Sequence, residues 1–102
     1  MIETWKQIAA RYKNTNPANV FFELYNEPLF NAGDWQMLSQ TLADTIHSIS
    51  PEHSIIIGPP LGNTIYGLFY FNNYSPINDT NIIYTFHFYE PALFTHQGAT
   101  WS

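Results

Sequence analysis

Apolar and polar positions change period repeatedly along this chain. Between residues 2 and 12, Ile2, Trp5, Ile8, Ala9 and Tyr12 recur at three- and four-residue steps with Lys6, Gln7 and Arg11 between them, which predicts an amphipathic helix. Asn14-Thr15-Asn16-Pro17 stops it with turn chemistry. Residues 20–28 then form a run of β-branched and aromatic side chains that ends in Asn26-Glu27-Pro28; the run predicts a buried strand, and Pro28 cannot continue a ladder. A second helix is expected from Asp34, taken as its N-cap, with Trp35, Leu38, Leu42, Ala43, Ile46 and Ile49 as its buried stripe and Ser50-Pro51 as its end. Residues 54–60 predict a short apolar strand stopped by prolines. Residues 61–80 carry Gly62, Gly67, Asn72, Asn73 and Pro76 against any period and predict a loop with at most a short helix. Residues 81–89 predict a third strand, and residues 92–102 a loop.

Strands separated by crossovers of about twenty residues or more imply parallel pairing and right-handed βαβ units. In such sheets ligands bind at the carboxyl ends of the strands. Two strands end there on chemistry, one on Asn26-Glu27-Pro28 and the other on His87-Phe88-Tyr89-Glu90-Pro91.

With 102 residues the chain is too short for a complete (β/α)₈ barrel, which needs about 250. Charged residues make up 11% of it, below the usual ~25%, while 18% are aromatic and 45% hydrophobic. An interior slice of a larger fold has that composition. The net charge of −5 with three basic residues leaves no footprint for nucleic acid. There is no cysteine and hence no disulfide or thiolate site. No run approaches the ~18 apolar residues of a membrane span, and Met1-Ile2-Glu3-Thr4-Trp5-Lys6 carries no apolar leader-like run, so the signal of a secreted parent is expected outside this chain.

The two strand-end motifs, joined to Phe94-Thr95-His96-Gln97-Gly98-Ala99-Thr100-Trp101, resemble glycoside hydrolase family 5, the cellulase or endoglucanase-like family. Residues 2–9, 20–28, 54–59, 81–91 and 94–101 resemble it in the expected order. The resemblance implies an α/β fold, a fragment of a (β/α)₈ TIM barrel covering strands four to six, with residues 1–102 forming part of a catalytic domain. It implies retaining hydrolysis of β-glucans or mannans with no cofactor. Glu27 matches the acid/base, and Asn26, His87 and Tyr89 match residues that line the active site, Tyr89 placed to reach the nucleophile. Trp101, in the loop after the third strand, is expected to stack on a sugar ring. The nucleophile of the family stands at the end of the next strand, so this chain is expected to carry the acid and lack its partner. The resemblance alone suggests an extracellular or periplasmic setting.

The residues themselves narrow these roles. Glycosidic bonds are usually cleaved by two carboxyl groups about 5–9.5 Å apart. Glu23 lies four residues before Glu27, about 13 Å along the strand, so it is expected to be a structural carboxylate buried inside the complete barrel and not the partner. His87 and Tyr89 share one side, about 6.6 Å apart along the strand, with Glu90 on the other side. His47 is expected to serve the dipole at its helix end, His53 falls in a turn, and no pair among His47, His53, His87 and His96 shows metal-ligand spacing. Trp35 reads as core; Tyr66 and Phe94 could meet sugar. Asn73-Tyr74-Ser75 and Asn78-Asp79-Thr80 match the N-glycosylation pattern. The alternative is a non-catalytic carbohydrate-binding or interaction fragment. Produced alone, the chain is expected to hydrolyse nothing and to self-associate through its open sheet.

Overall fold

The computed structural model describes residues 1–73 and 77–101, with the backbone alone for residues 70–73. The Asn73-Tyr74-Ser75 match therefore falls partly outside the described residues, while Asn78 is exposed. The elements run α1 (Ile2–Tyr12), β1 (Phe22–Glu23), α2 (Ala32–Ile49), β2 (Ile55–Ile57), α3 (Pro60–Asn63), α4 (Ile65–Asn73), β3 (Ile82–Tyr84) and α5 (Ala92–Thr95). The strands form one sheet in the order β1-β2-β3, all parallel, with Phe22 opposite Ile55 and Ile55 opposite Ile82.

The regular strands are shorter than the apolar runs that predict them. The ladder nonetheless reaches further, since the Leu24 amide donates to Ile56 C=O at 3.2 Å and the Thr85 amide to Ile57 C=O at 3.1 Å. Beyond those bonds the chain bends to build loops. The crossover after β2 is more helical than its sequence suggests. Leu61, Gly62 and Asn63 take positive φ (63°, 71° and 62°), and that tight left-handed turn redirects the chain into the nine residues of α4. A periodicity reading has no access to such a turn; Gly62 and Asn63 are residue types that tolerate it, and Leu61 adopts it at a cost. The loop expected after residue 91 likewise contains the single turn α5.

At α2 the cap is Asn31, not Asp34. The Asn31 side chain accepts the Asp34 amide at 2.9 Å, and its own amide donates to the Asp34 carboxylate at 2.6 Å. Asp34 is the third residue of the helix, where its charge favours the positive end of the dipole.

One face of the sheet is covered. Phe22, Leu24, Ile55 and Ile57 pack under α1 and α2, against Trp5, Ala9, Trp35, Leu42, Ala43 and Ile46. Burying each of the larger side chains is worth about 1.5–3 kcal/mol. Alternate residues on the opposite face, Phe21, Glu23, Tyr25 and Ile83, are exposed. Glu23, expected inside the complete barrel, stands on this open face and is exposed in the 102-residue chain. The two-residue period places it there, and the helices cover only the other side.

At the amino ends of the strands a polar knot joins three segments. His53, 1% exposed, has Thr15 Oγ1 2.9 Å from Nε2 and Ser50 Oγ 2.6 Å from Nδ1, and its ring stacks on Phe22. His47 contacts the Asp79 carboxylate and the His53 carbonyl oxygen. It is tied into a cross-chain pair rather than serving only its own helix end.

Candidate active site

The covered face fixes the sheet, and aromatic packing fixes the loop that leaves β1. Trp35 is fully buried, as its helical spacing predicts, and its Nε1–H donates to Gly58 C=O at 2.9 Å, tying α2 to the end of β2. Phe30 stacks on Trp35 at 5.6 Å between ring centroids, and Tyr25 meets it edge-on at 6.2 Å. The Gly62 amide donates to Pro28 C=O at 2.9 Å. Residues 25–30 are therefore held at both ends. Within them Glu27 adopts φ 50°, a left-handed conformation that costs a non-glycine residue of order 1–3 kcal/mol and is tolerated where surrounding contacts impose it.

That turn brings Glu27 across β2 to the end of the third strand. The Tyr89 hydroxyl donates to Glu27 Oε1 at 2.6 Å, and His87 Nδ1 lies 2.7 Å from the same oxygen. The rings of His87 and Tyr89 are 6.2 Å apart, close to the strand repeat expected for residues on one side. His87 is itself anchored, its amide donating to Asn63 C=O at 2.7 Å. The sequence thus names three side chains, and the fold brings all three together. Tyr89, matched by resemblance to a residue that reaches the nucleophile, here holds Glu27.

The electrostatics follow from these contacts. Tyr89 and then His87 donate to the Glu27 carboxylate, which holds its carboxyl below the ordinary value of 4.5 despite partial desolvation. The same bond pushes the Tyr89 hydroxyl above its ordinary 10.0, because an ionised oxygen could no longer donate to Glu27; desolvation and the neighbouring negative charge add to the rise. Both donors sit on Oε1, so Oε2 is engaged by neither.

Asn26 and Glu27 line one concavity of about 390 Å³ with Tyr25, Leu29 and Phe30. Trp101, 80% exposed, lines a different one of about 510 Å³ with Leu93, His96 and Gln97. His96 links the two: its ring is 5.0 Å from that of Tyr89, and its charge adds to the lowering at Glu27. Sequence reasoning weighed His96 only as a metal ligand. Its place in the motif shared with Trp101 was the available signal. Tyr66 and Phe94 are exposed, and Glu90 is exposed beside His87 and Tyr89. Among the described residues no three His, Cys, Asp or Glu side chains gather as a metal cluster, and no helix is long and apolar enough to cross a membrane.

Comparison with known proteins places this geometry. The cellulase profile, glycosyl hydrolase family 5, matches residues 1–102. The chain is 37% identical to endoglucanase 3 of Fibrobacter succinogenes over 107 aligned positions, covering all of this chain and 16% of that protein. It is 39% identical to cellodextrinase A of Ruminococcus flavefaciens, covering 96% of this chain and 29% of that one. It superposes on Thermotoga maritima Cel5A, solved as a mutant with cellobiose, with a TM-score of 0.90 and 38% identity over 99% of this chain and 34% of that chain. The same Thermotoga enzyme has been solved with mannotriose, with a TM-score of 0.89. The chain therefore spans under a third of these two curated relatives. Its parallel sheet, helices on one face and carboxyl-end site form a segment of a TIM barrel, and the chain belongs to the cellulase family, glycosyl hydrolase family 5.

Proposed function

We propose that these residues are part of the active site of a retaining glycosidase that cuts β-linked glucans or mannans, with Glu27 as its acid/base. The observation that carries the reading is the convergence of His87 and Tyr89 on one oxygen of a carboxylate at the carboxyl end of the sheet. Oε2 is then the atom that gives a proton to the leaving oxygen and later takes one from water. As found, Glu27 is biased toward its ionised form, which suits the water-activating step. For the first step it must hold a proton. A second carboxylate about 5–5.5 Å away, as in the retaining arrangement, supplies the opposing push, because like charges disfavour double ionisation. Once that partner is bonded to sugar its charge is gone, and Glu27 reverts to the base. The partner, by resemblance, is a glutamate at the end of the following strand.

Asn26, beside Glu27, offers an amide donor and acceptor to a sugar hydroxyl. Trp101 offers a ring face to a sugar one concavity away. Cellobiose in one relative and mannotriose in another form of it support a substrate range that includes both glucans and mannans. An extracellular or periplasmic setting, which the family resemblance alone suggests, fits a polymeric substrate.

The test is Glu27→Gln in the full-length protein. Hydrolysis of polysaccharide is expected to fall by about 10²- to 10⁴-fold, with a smaller loss in the first step for aryl glycosides that need little protonation. Unchanged hydrolysis refutes the role. A second reading, favoured by the depressed carboxyl of Glu27, makes it the nucleophile. Trapping with a fluorinated glycoside followed by peptide mass analysis separates the two: a glycosyl adduct on Glu27 establishes the second reading, and an adduct elsewhere the first.

A further inference from the structure

Asn63 stands out among the polar residues that touch the site without belonging to it. It is fully buried, at φ 62°, at the end of the left-handed turn after β2. Its carbonyl receives the His87 amide, and its side-chain Nδ2 lies 3.4 Å from His87 Nε2. Among the described residues its Oδ1 has no hydrogen-bond partner. The amide fills the space over Gly58, where an added Cβ would stand 2.2 Å from Oδ1 and 2.6 Å from Nδ2. Glycine would satisfy the left-handed backbone as well and would not bury an amide. The side chain is kept at a cost, and His87 is what it reaches.

Resting on the reading of Glu27 as acid/base, we infer that Asn63 is a positioning residue: its amide donates to His87 Nε2 and so holds the imidazole with its single proton on Nδ1, facing Glu27. The chemistry is that of a choice between two tautomers. A carboxylate can only accept, so while Glu27 is ionised His87 Nδ1 must donate to it. When Glu27 carries a proton that constraint lapses. An imidazole free to move its proton to Nε2 would present a bare Nδ1 and draw the proton away from the glycosidic oxygen. A donor fixed at Nε2 blocks that exchange. Among the described residues the charged and titratable groups facing His87 are Glu27 and Tyr89, with His96 beyond Tyr89, and Glu90 and Tyr66 lining the same concavity. Glu27 and Tyr89 meet at the Glu27 oxygen beside Nδ1, and the group at Nε2 is the Asn63 amide.

The decisive measurement is the protonation of His87 in full-length enzyme labelled with ¹⁵N-histidine, read from the two ring-nitrogen shifts near neutral pH. The expected result is a protonated Nδ1 and a bare Nε2. A proton on Nε2 in the unaltered enzyme overturns the inference without any variant. Asn63→Gly keeps the left-handed turn and removes the amide. It is expected to populate both tautomers and to lower kcat on substrates with poor leaving groups by about tenfold, below the full loss of an acid/base, with KM little changed. Asn63→Asp, offering Nε2 only acceptors, is expected to protonate Nε2 as well. Gly58→Ala, which displaces the amide without touching His87, should follow Asn63→Gly. Lost activity with an unchanged tautomer marks a merely structural role and overturns the inference. Full activity in Asn63→Gly beside an inactive Glu27→Gln overturns only the role of Asn63. Full activity in Glu27→Gln overturns the acid/base reading itself.

Discussion

Trp35→Phe in the full-length enzyme tests whether the loop bearing Glu27 is held from beneath. The substitution removes the Nε1–H that donates to Gly58 C=O at 2.9 Å in a fully buried position. A buried carbonyl left without its donor costs about 1–3 kcal/mol. The smaller ring also leaves part of the indole volume empty, at about 24 cal/mol per Å³ of residual cavity, which adds about 1 kcal/mol for a void of some 40 Å³. The sum is about 2–4 kcal/mol. In a domain of barrel size that is a fall in Tm of roughly 5–15 °C. Phe30 and Tyr25 lean on the same indole, so the loop should loosen and kcat should fall several-fold. Leu42→Ala is the control: it is fully buried in the same core, two helical turns after Trp35, and carries no hydrogen-bonding group. It should cost about 2–5 kcal/mol and leave kcat unchanged. Thermal and urea unfolding, with kinetics well below either midpoint, supply both readouts. A Trp35→Phe protein that loses less than about 1 kcal/mol, or that matches Leu42→Ala in kcat, refutes the reasoning.

Tyr89→Phe removes the largest influence lowering the Glu27 carboxyl; because the acid/base must be protonated for the first step, the basic limb of the kcat/KM profile should move to higher pH, and a limb that stays or moves down contradicts the assignment. Stability should carry the same signature. Because the carboxyl is depressed when folded, the Tyr89 and His87 contacts with Glu27 stabilise above its ordinary 4.5, and that contribution is lost as pH falls through the lowered value. The raised Tyr89 hydroxyl contributes fully below 10.0, and that part is lost as pH climbs through its higher folded value, so Tyr89→Phe should flatten urea midpoints at both extremes. Asn31→Ala should destabilise by about 0.5–2 kcal/mol through the α2 cap, while Asn31→Ser, which keeps an acceptor for the Asp34 amide and sets no second carboxylate against Asp34, should cost less by thermal melting. The 102-residue polypeptide produced alone should scatter light as more than a monomer, because Phe21, Tyr25 and Ile83 stand 46%, 43% and 44% exposed on one sheet face; a monodisperse monomer counts against that expectation.

Much of this was legible in the chain because two periods are unambiguous. Three-and-four spacing from Ile2 to Tyr12 and from Trp35 to Ile49 gives the helices that cover the sheet. Apolar runs closed by Pro28, Pro59 and Pro91 give strands and mark their functional ends. The convergence of Glu27, His87 and Tyr89 needed more, since parallel pairing says that the strand ends meet but not which atoms do. Two kinds of feature stayed hidden. Left-handed backbone at Glu27, Leu61 and Asn63 has no period, so the turn that forms the floor of the site read as loop. Long-range polar contacts, such as His53 between Thr15 and Ser50 or His47 with Asp79, depend on a register that composition does not encode. Asp34 misled because Asn31 and Asp34 are both good cap residues, and only backbone geometry chooses between them.

The bonds from Glu27 to His87 and to Tyr89 join residues 60 and 62 positions apart, across a strand that pairs with both neighbours. Such contacts close long loops, and that entropy must be met before the contacts return anything. They belong late on the folding route. Substitutions at the three side chains should therefore leave the rate of folding nearly untouched and appear in the rate of unfolding. Residues selected for chemistry would then be free to change without endangering the assembly of the sheet beneath them.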